Sequence, residues 1–253
     1  AGALVVNCFP SVGFVSSIVA HYLIDKLELR LVGGVNHSKL PPICLVQDGK
    51  PLPPLRFYTG EPICKLDKCD KIILIISEVK IENQIKMSLA RSLIDWTEES
   101  KSGVSIMIDS FTKGDSEGHT ILDDDNIDTT MLGIGSTDSA IKMLKEIGLP
   151  LLKHGLVGGM TGVMLGESRR RGIDSLAIIA ESNGGPMKGQ PFPDARAAAR
   201  IIECLDGLLP AIHLDPEPLL EEAKRIENQI RDMMAVNLNS SIDDHNGPES
   251  MFG

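Results

Sequence analysis

Short apolar runs alternate with amphipathic stretches along most of the chain. Leu4-Val5-Val6 is β-branched and strand-like; Asn7-Cys8-Phe9-Pro10-Ser11-Val12-Gly13 then breaks the pattern. From Phe14 onward Val15, Ile18, Val19, Tyr22, Leu23 and Leu27 fall at helical spacing. A second strand is expected over 30–35 and a third over 43–46, followed by Asp48-Gly49, a strong hairpin signal. The segment 55–58 is expected to pair back across that turn. Residues 72–76 are continuously apolar, as a strand buried on both faces requires. Ile85, Leu89, Leu93 and Trp96 form one stripe of a helix over 85–100, and 104–108 is the next buried strand.

The second half repeats the alternation. A strand over 131–134 leads to Ser136-Thr137-Asp138, which offers a cap for a helix over 140–147. A glycine-punctuated stretch, 155–162, precedes a helix that ends at Gly172 after three arginines; basic residues in a last turn complement the helix dipole, so Arg169, Arg170 and Arg171 need no ligand to explain them. A strand over 176–180 follows, and Asp194 opens a helix with Ala197, Ala198, Ile201, Ile202 and Leu205 inward. Strands alternating with helices predict an α/β fold, a three-layer α/β/α sandwich whose sheet is mixed and mostly parallel.

The last element starts at Asp215-Pro216-Glu217, a cap, a first-turn proline and an acid. Leu219, Ala223, Ile226, Ile230, Met233 and Met234 make the apolar stripe of a helix over 216–235, with Glu221–Arg225 and Glu227–Arg231 as i,i+4 pairs. One domain is expected over 1–236, with a polar flexible tail over 237–253.

Composition narrows the function. The 253 residues carry 25 Lys and Arg against 35 Asp and Glu, a net charge of −10. Phosphate-backbone binding depends on clustered basic residues, so no nucleic-acid partner is expected. Aromatics at 4% disfavour stacking platforms. The five cysteines, 8, 44, 64, 69 and 204, show no metal-binding spacing and fit buried hydrophobes in a reducing compartment. The first 24 residues have no formal charge, but Asn7, Pro10, Gly13 and His21 divide them and no basic region precedes them. Neither a signal peptide nor a membrane span is expected, and the protein is placed in the cytoplasm.

Candidate chemistry is sparse. The 155–162 glycines precede a helix whose N-terminus attracts anions, yet they lack both the Walker A lysine and the dinucleotide spacing. Close helix–sheet packing explains them better. His154, Gly158, Gly159 and Glu181 would form the site if the protein were an enzyme. Glu78 and Asp109 also stand at strand ends, where α/β sheets bind ligands. His21 is expected to be a satisfied core histidine, and Asp123-Asp124-Asp125 a solvated loop. No nucleophile elbow is present, and no metal or other cofactor is expected.

Several segments in order resemble a known family. Residues 7–15 are similar to the G-F-P-G-x-G-x-V loop that opens proteasome assembly chaperones of the second-subunit type; Phe9, Pro10 and Gly13 match, and Asn7 and Ser11 replace glycines. Pro41-Pro42 before Asp48-Gly49, Glu78, Asn183-Gly184-Gly185-Pro186, and Pro193-Asp194 through Ala198 match its later signatures, with 187–190 an insert. The resemblance implies a phosphorylase/hydrolase-like sandwich, self-association, and a non-enzymatic archaeal-type chaperone or adaptor that binds proteasome α subunits or the α ring. It also directs attention to Met251-Phe252-Gly253, similar to the hydrophobic–tyrosine–any-residue tripeptide through which proteasome activators dock. The rival reading is a small-molecule enzyme of hydrolase or phosphorylase type, or an ATP-grasp-like ligase. The ligase is disfavoured because neither a nucleotide loop nor paired metal-binding carboxylates are evident.

Overall fold

The computed structural model describes residues 2–61, 69–100, 102–112, 119–121, 129–182, 192–209, 213–221 and 224. Four strands run parallel at its centre: β1 (Gly2–Cys8), β6 (Cys69–Ser77), β7 (Val104–Phe111) and β11 (Ser175–Glu181). Antiparallel additions flank them. β5 (Leu55–Gly60) pairs with β6, β2 (Arg30–Gly34) with β5, and β9 (Met131–Gly135) with β11, giving the order β2-β5-β6-β1-β7-β11-β9. The sheet is mixed, as expected, with helices on both faces.

Alternation along β1 shows how each face is filled. Leu4, Val6 and Cys8 point to the layer made by α1 (Val15–Lys26) and α5 (Ala195–Leu208); Ala3 and Val5 point to the layer made by α2 (Asn83–Glu99) and α4 (Gly159–Arg171). The α5 residues Ala197, Ala198, Ile201, Ile202 and Leu205 are fully buried. Small alanines at the start of that helix let it approach the sheet closely. α3 (Asp138–Glu146) sits by β9, its start capped by the Thr137 hydroxyl, which accepts from the Ala140 amide. Such a cap contributes about 1 kcal/mol. Arg171 in the last turn of α4 donates to Asp95, Glu98 and Glu167, locking α4 to α2. Arg170 also donates to Glu167, and Arg169 to the Ser136 carbonyl at 3.0 Å.

Two local expectations are corrected. Across the Asp48-Gly49 turn it is β4 (Lys50–Leu52) that pairs with β3 (Leu45–Gln47), whereas 55–58 joins the main sheet. Both turn residues have positive φ, the type I′ geometry that closes a two-residue ribbon, and Pro53-Pro54 ends it because neither proline has an amide to donate. Trp96 is 37% exposed and rests against Phe57, with ring centroids 5.0 Å apart. It lies at the end of the stripe rather than in the core. His21 is not a core histidine. Val15, Val19, Ala20 and Leu23 make the buried apolar face of its helix, and position 21 lies off that face and is exposed.

Two further strands, β8 (His119–Ile121) and β10 (Gly155–Val157), form a separate antiparallel pair. Of the last helix, residues 217–221 and 224 are described and helical; Leu219 is buried, and Tyr22 Oη donates to the Asp215 carbonyl at 2.7 Å while accepting from the Asp215 amide at 2.9 Å. The rest of the 216–235 helix, its ion pairs, and the 237–253 tail lie outside the described residues, as does the Asp123 loop. No helix among the described residues is long and apolar enough to cross a membrane.

Candidate functional site: the C-terminal edge of the parallel strands

All four parallel strands end on one edge, and the 9–14 loop folds over it. Phe9 is buried beneath α2's side of the sheet, while Pro10 is exposed. Ser11 Oγ accepts from the Ser16 amide at 3.0 Å, so the residue that replaces a family glycine caps the start of α1. Asn7 lies within β1, not in the loop; its side chain donates to Ser105 Oγ at 2.9 Å in the neighbouring strand.

Gly13 is the keystone of the loop. Its φ is +63°, and an added Cβ would stand 2.4 Å from Ser182 Oγ and 2.9 Å from Asp194 Cβ. Its carbonyl accepts from the Asp194 amide at 2.8 Å. Asp194 in turn accepts from Ser182 Oγ at 3.0 Å and from the Ala197 amide at 2.9 Å, so one carboxylate ties β11's end, the loop and the start of α5 together. Ser110 Oγ donates to the Val12 carbonyl at 2.7 Å, adding β7. The structure therefore brings Gly13 and Asp194 into one assembly, with Pro193 preceding Asp194 in sequence, whereas Phe9 packs into the core on the α2 side. Asn183, Gly184, Gly185 and Pro186 lie outside the described residues. The loop presents Phe14, which sequence reading did not single out. It is 43% exposed with φ +53°, a left-handed conformation that disfavours bulky side chains.

A second cluster sits on the same edge. Glu78 follows β6 and accepts from Arg56 Nη1 at 2.9 Å and Nη2 at 2.5 Å; His21 Nε2 stands 3.1 Å from its Oε1. Arg56 is almost wholly buried and also contacts Tyr58. Burial pushes the Glu78 carboxyl up, but hydrogen bonds from His21 and Arg56 outweigh it and hold the group near 2. Burial likewise pushes the Cys8 thiol up, with the charges of Asp109 and Glu78 adding to it, so this cysteine is a poor nucleophile.

The residues reserved for an enzyme do not converge here. His154 is exposed before β10, Gly158 and Gly159 start α4, and Glu181 ends β11 with its carbonyl accepting from Arg200 Nη2 at 2.6 Å. Gly162 has no room for a side chain, since an added Cβ would come within 1.9 Å of the Val157 carbonyl oxygen, whereas Gly159 has open space and a φ of +66°. Asp109 accepts from the Thr161 hydroxyl and from the Ser110 amide at 2.8 Å. Among the described residues no group of His, Cys, Asp and Glu could hold a metal ion.

Comparison with known proteins places this geometry. The model of the PAC2 family matches residues 5–234. The chain belongs to the PAC2 family. Among solved relatives, Pyrococcus furiosus PbaA, described as an archaeal homolog of proteasome-assembly chaperone, aligns over 96% of this chain and 92% of its own at 28% identity with a TM-score of 0.79. A second crystal structure of PbaA gives 30% identity over 92% of each chain, TM-score 0.72. Pyrococcus furiosus PbaB, described as an archaeal proteasome activator, is 17% identical over 92% of this chain and 93% of its own, TM-score 0.72, and shares the fold. An uncharacterised protein of Methanocaldococcus jannaschii is 26% identical over 93% of this chain and 87% of its own. Of the recognised segments, the 9–13 loop and Asp194 build the strand-edge assembly of this PAC2 chain. Arg56 was missed because a lone arginine in an apolar strand gives no signal until its partner, 22 residues away, is seen.

Proposed function

We propose that this chain is a non-enzymatic proteasome assembly chaperone or proteasome-binding adaptor that acts in the cytoplasm, contacts α subunits and associates with further copies of itself. The observation that carries this reading is likeness along nearly the whole length to PbaA, a homolog of proteasome-assembly chaperone, within one family. The chemistry agrees with it. The strand edge where an α/β enzyme keeps its catalytic groups is occupied by a hydrogen-bonded loop, and its carboxylates are engaged by neighbours: Glu78 by Arg56, Asp194 by Ser182 and a helix amide. No observation favours the hydrolase or ligase reading.

Two surfaces are candidates for the α subunit. One is the strand-edge loop, with exposed Pro10 and Phe14 held on a rigid base. The other is Met251-Phe252-Gly253, which lies outside the described residues. A hydrophobe beside an aromatic ring suits an apolar pocket. Capture of purified α subunits by the full chain tests the reading, with a variant lacking 251–253 and a Phe14→Ala variant assigning the surface.

A further inference from the structure

The last helix begins on the outer face of α1. Tyr22 Oη holds both the carbonyl and the amide of Asp215, and the Leu214 amide donates to the Asp206 carboxylate on α5 at 2.7 Å. The Asp215 carboxylate then accepts from the Glu217 amide at 3.0 Å and caps the first turn. Leu219 is buried, whereas Glu217, Glu221 and Lys224 are exposed. The inward and outward faces of this helix are thus set by its first two turns.

A groove of about 640 Å³ opens at the same place, lined by Ser17, Ile18, His21 and Tyr22 of α1 and by Leu219 itself. Its apolar surface continues along α1 in one direction. Ile18 is half-buried one turn before Tyr22, and Phe14 is exposed one turn before that. In the other direction Lys26, Glu28 and Arg30 are charged and exposed.

The sequence after Leu219 supplies an occupant. At about 3.6 residues per turn, Ala223, Ile226 and Ile230 fall within about 40° of Leu219 around the helix, and Asn228 stands opposite. A helix of this length is held in water chiefly by burying such a stripe. We infer that the chain's own 222–230 segment lies antiparallel on α1, with Ala223 against Ile18 and Ile226 between Ile18 and Phe14, and closes the groove that Leu219 opens. The steps from Leu219 to Ala223 and from Tyr22 to Ile18 are each one turn, about 6 Å, so the two helices stay in step. Ala223 at the crossing lets their axes approach closely. Covalent continuity commits the groove to this occupant. Leu219 already lines it, so the residues that follow are held there at an effective concentration far above that of a free partner. The contact lies within one chain and stands independently of the chaperone reading.

The experiment uses the full chain with Ile18→Cys and Ala223→Cys, treated with a short thiol cross-linker, digested and mapped by mass spectrometry. A link between positions 18 and 223 in a species of monomer mass is expected, about tenfold more abundant than the link formed when Ile18→Cys is combined with Asn228→Cys. Separately, Ile226→Asp in the otherwise natural chain is expected to lower the melting temperature by about 3 °C or more, and Asn228→Asp to leave it unchanged. A link found only in a covalent dimer gives the groove to the last helix of a second copy and overturns the inference. Equal linking at 223 and 228, no link at all, or a melting temperature that Ile226→Asp leaves unchanged overturns it too. No link, together with α-subunit capture lost on Ile18→Asp, gives the groove to that subunit, a further contrary result.

Discussion

Arg56 and Glu78 meet through two hydrogen bonds, 2.5 and 2.9 Å, with the arginine almost entirely shielded from solvent. They link the antiparallel flank of the sheet to the end of a central parallel strand. Removing one partner leaves the other buried and uncompensated. Glu78→Gln is expected to cost about 3 kcal/mol at neutral pH, read from the urea midpoint. Replacing both, Arg56→Met with Glu78→Gln, is expected to recover part of that loss.

The same pair predicts a pH dependence. The Glu78 carboxyl is held near 2, below its ordinary value of 4.5. A depressed carboxyl contributes stability that is fully present above its unfolded value and lost as pH falls toward the folded one. The stability advantage of the wild type over Glu78→Gln is therefore expected to persist at pH 6 and to shrink between about pH 4.5 and 2. An advantage independent of pH over that window would contradict the ion-pair account.

Gly13→Ala is expected to destabilise by about 2 kcal/mol, from a left-handed backbone and a Cβ pressed on Ser182 and Asp194. Ser182→Ala in the same chain removes the nearest atom and is expected to return only part of the loss, since the φ of +63° remains. Chemical denaturation of the two variants checks this.

Gly162→Ala separates packing from anion binding at the start of α4. Its Cβ meets a backbone oxygen that cannot swing aside, so a loss of about 3 kcal/mol is expected. Inorganic phosphate is expected to leave the wild-type melting temperature unchanged; a rise with phosphate would restore the cradle reading.

Phe14→Gly relieves a bulky residue from positive φ and is expected to keep or raise the melting temperature. Capture of α subunits is expected to fall about tenfold, because the exposed ring is gone while its rigid base remains. Unchanged capture would remove the loop from the contact surface.

Much of the fold was legible because its signals are local. The run 72–76 and the alanines 197 and 198 state their burial directly, and Asp194 announces a helix start by chemistry alone. The Asp48-Gly49 turn was equally plain, but the partner strand was not. A two-residue turn fixes only its immediate arms, so the fate of 55–58 depended on distant β6. His21 was misplaced because apolar neighbours in sequence occupy other faces of the helix. The Gly13–Ser182–Asp194 assembly joins residues about 180 positions apart, and spacing cannot encode that. The family motifs marked its parts without showing that they touch.

Direct binding of the full chain to purified proteasome α subunits, followed by co-capture and light scattering, tests the central claim. A stable complex that forms without any small-molecule substrate, and that Glu181→Gln and His154→Ala leave unchanged, is the predicted result. No complex with α subunits, free or assembled in a ring, would contradict it.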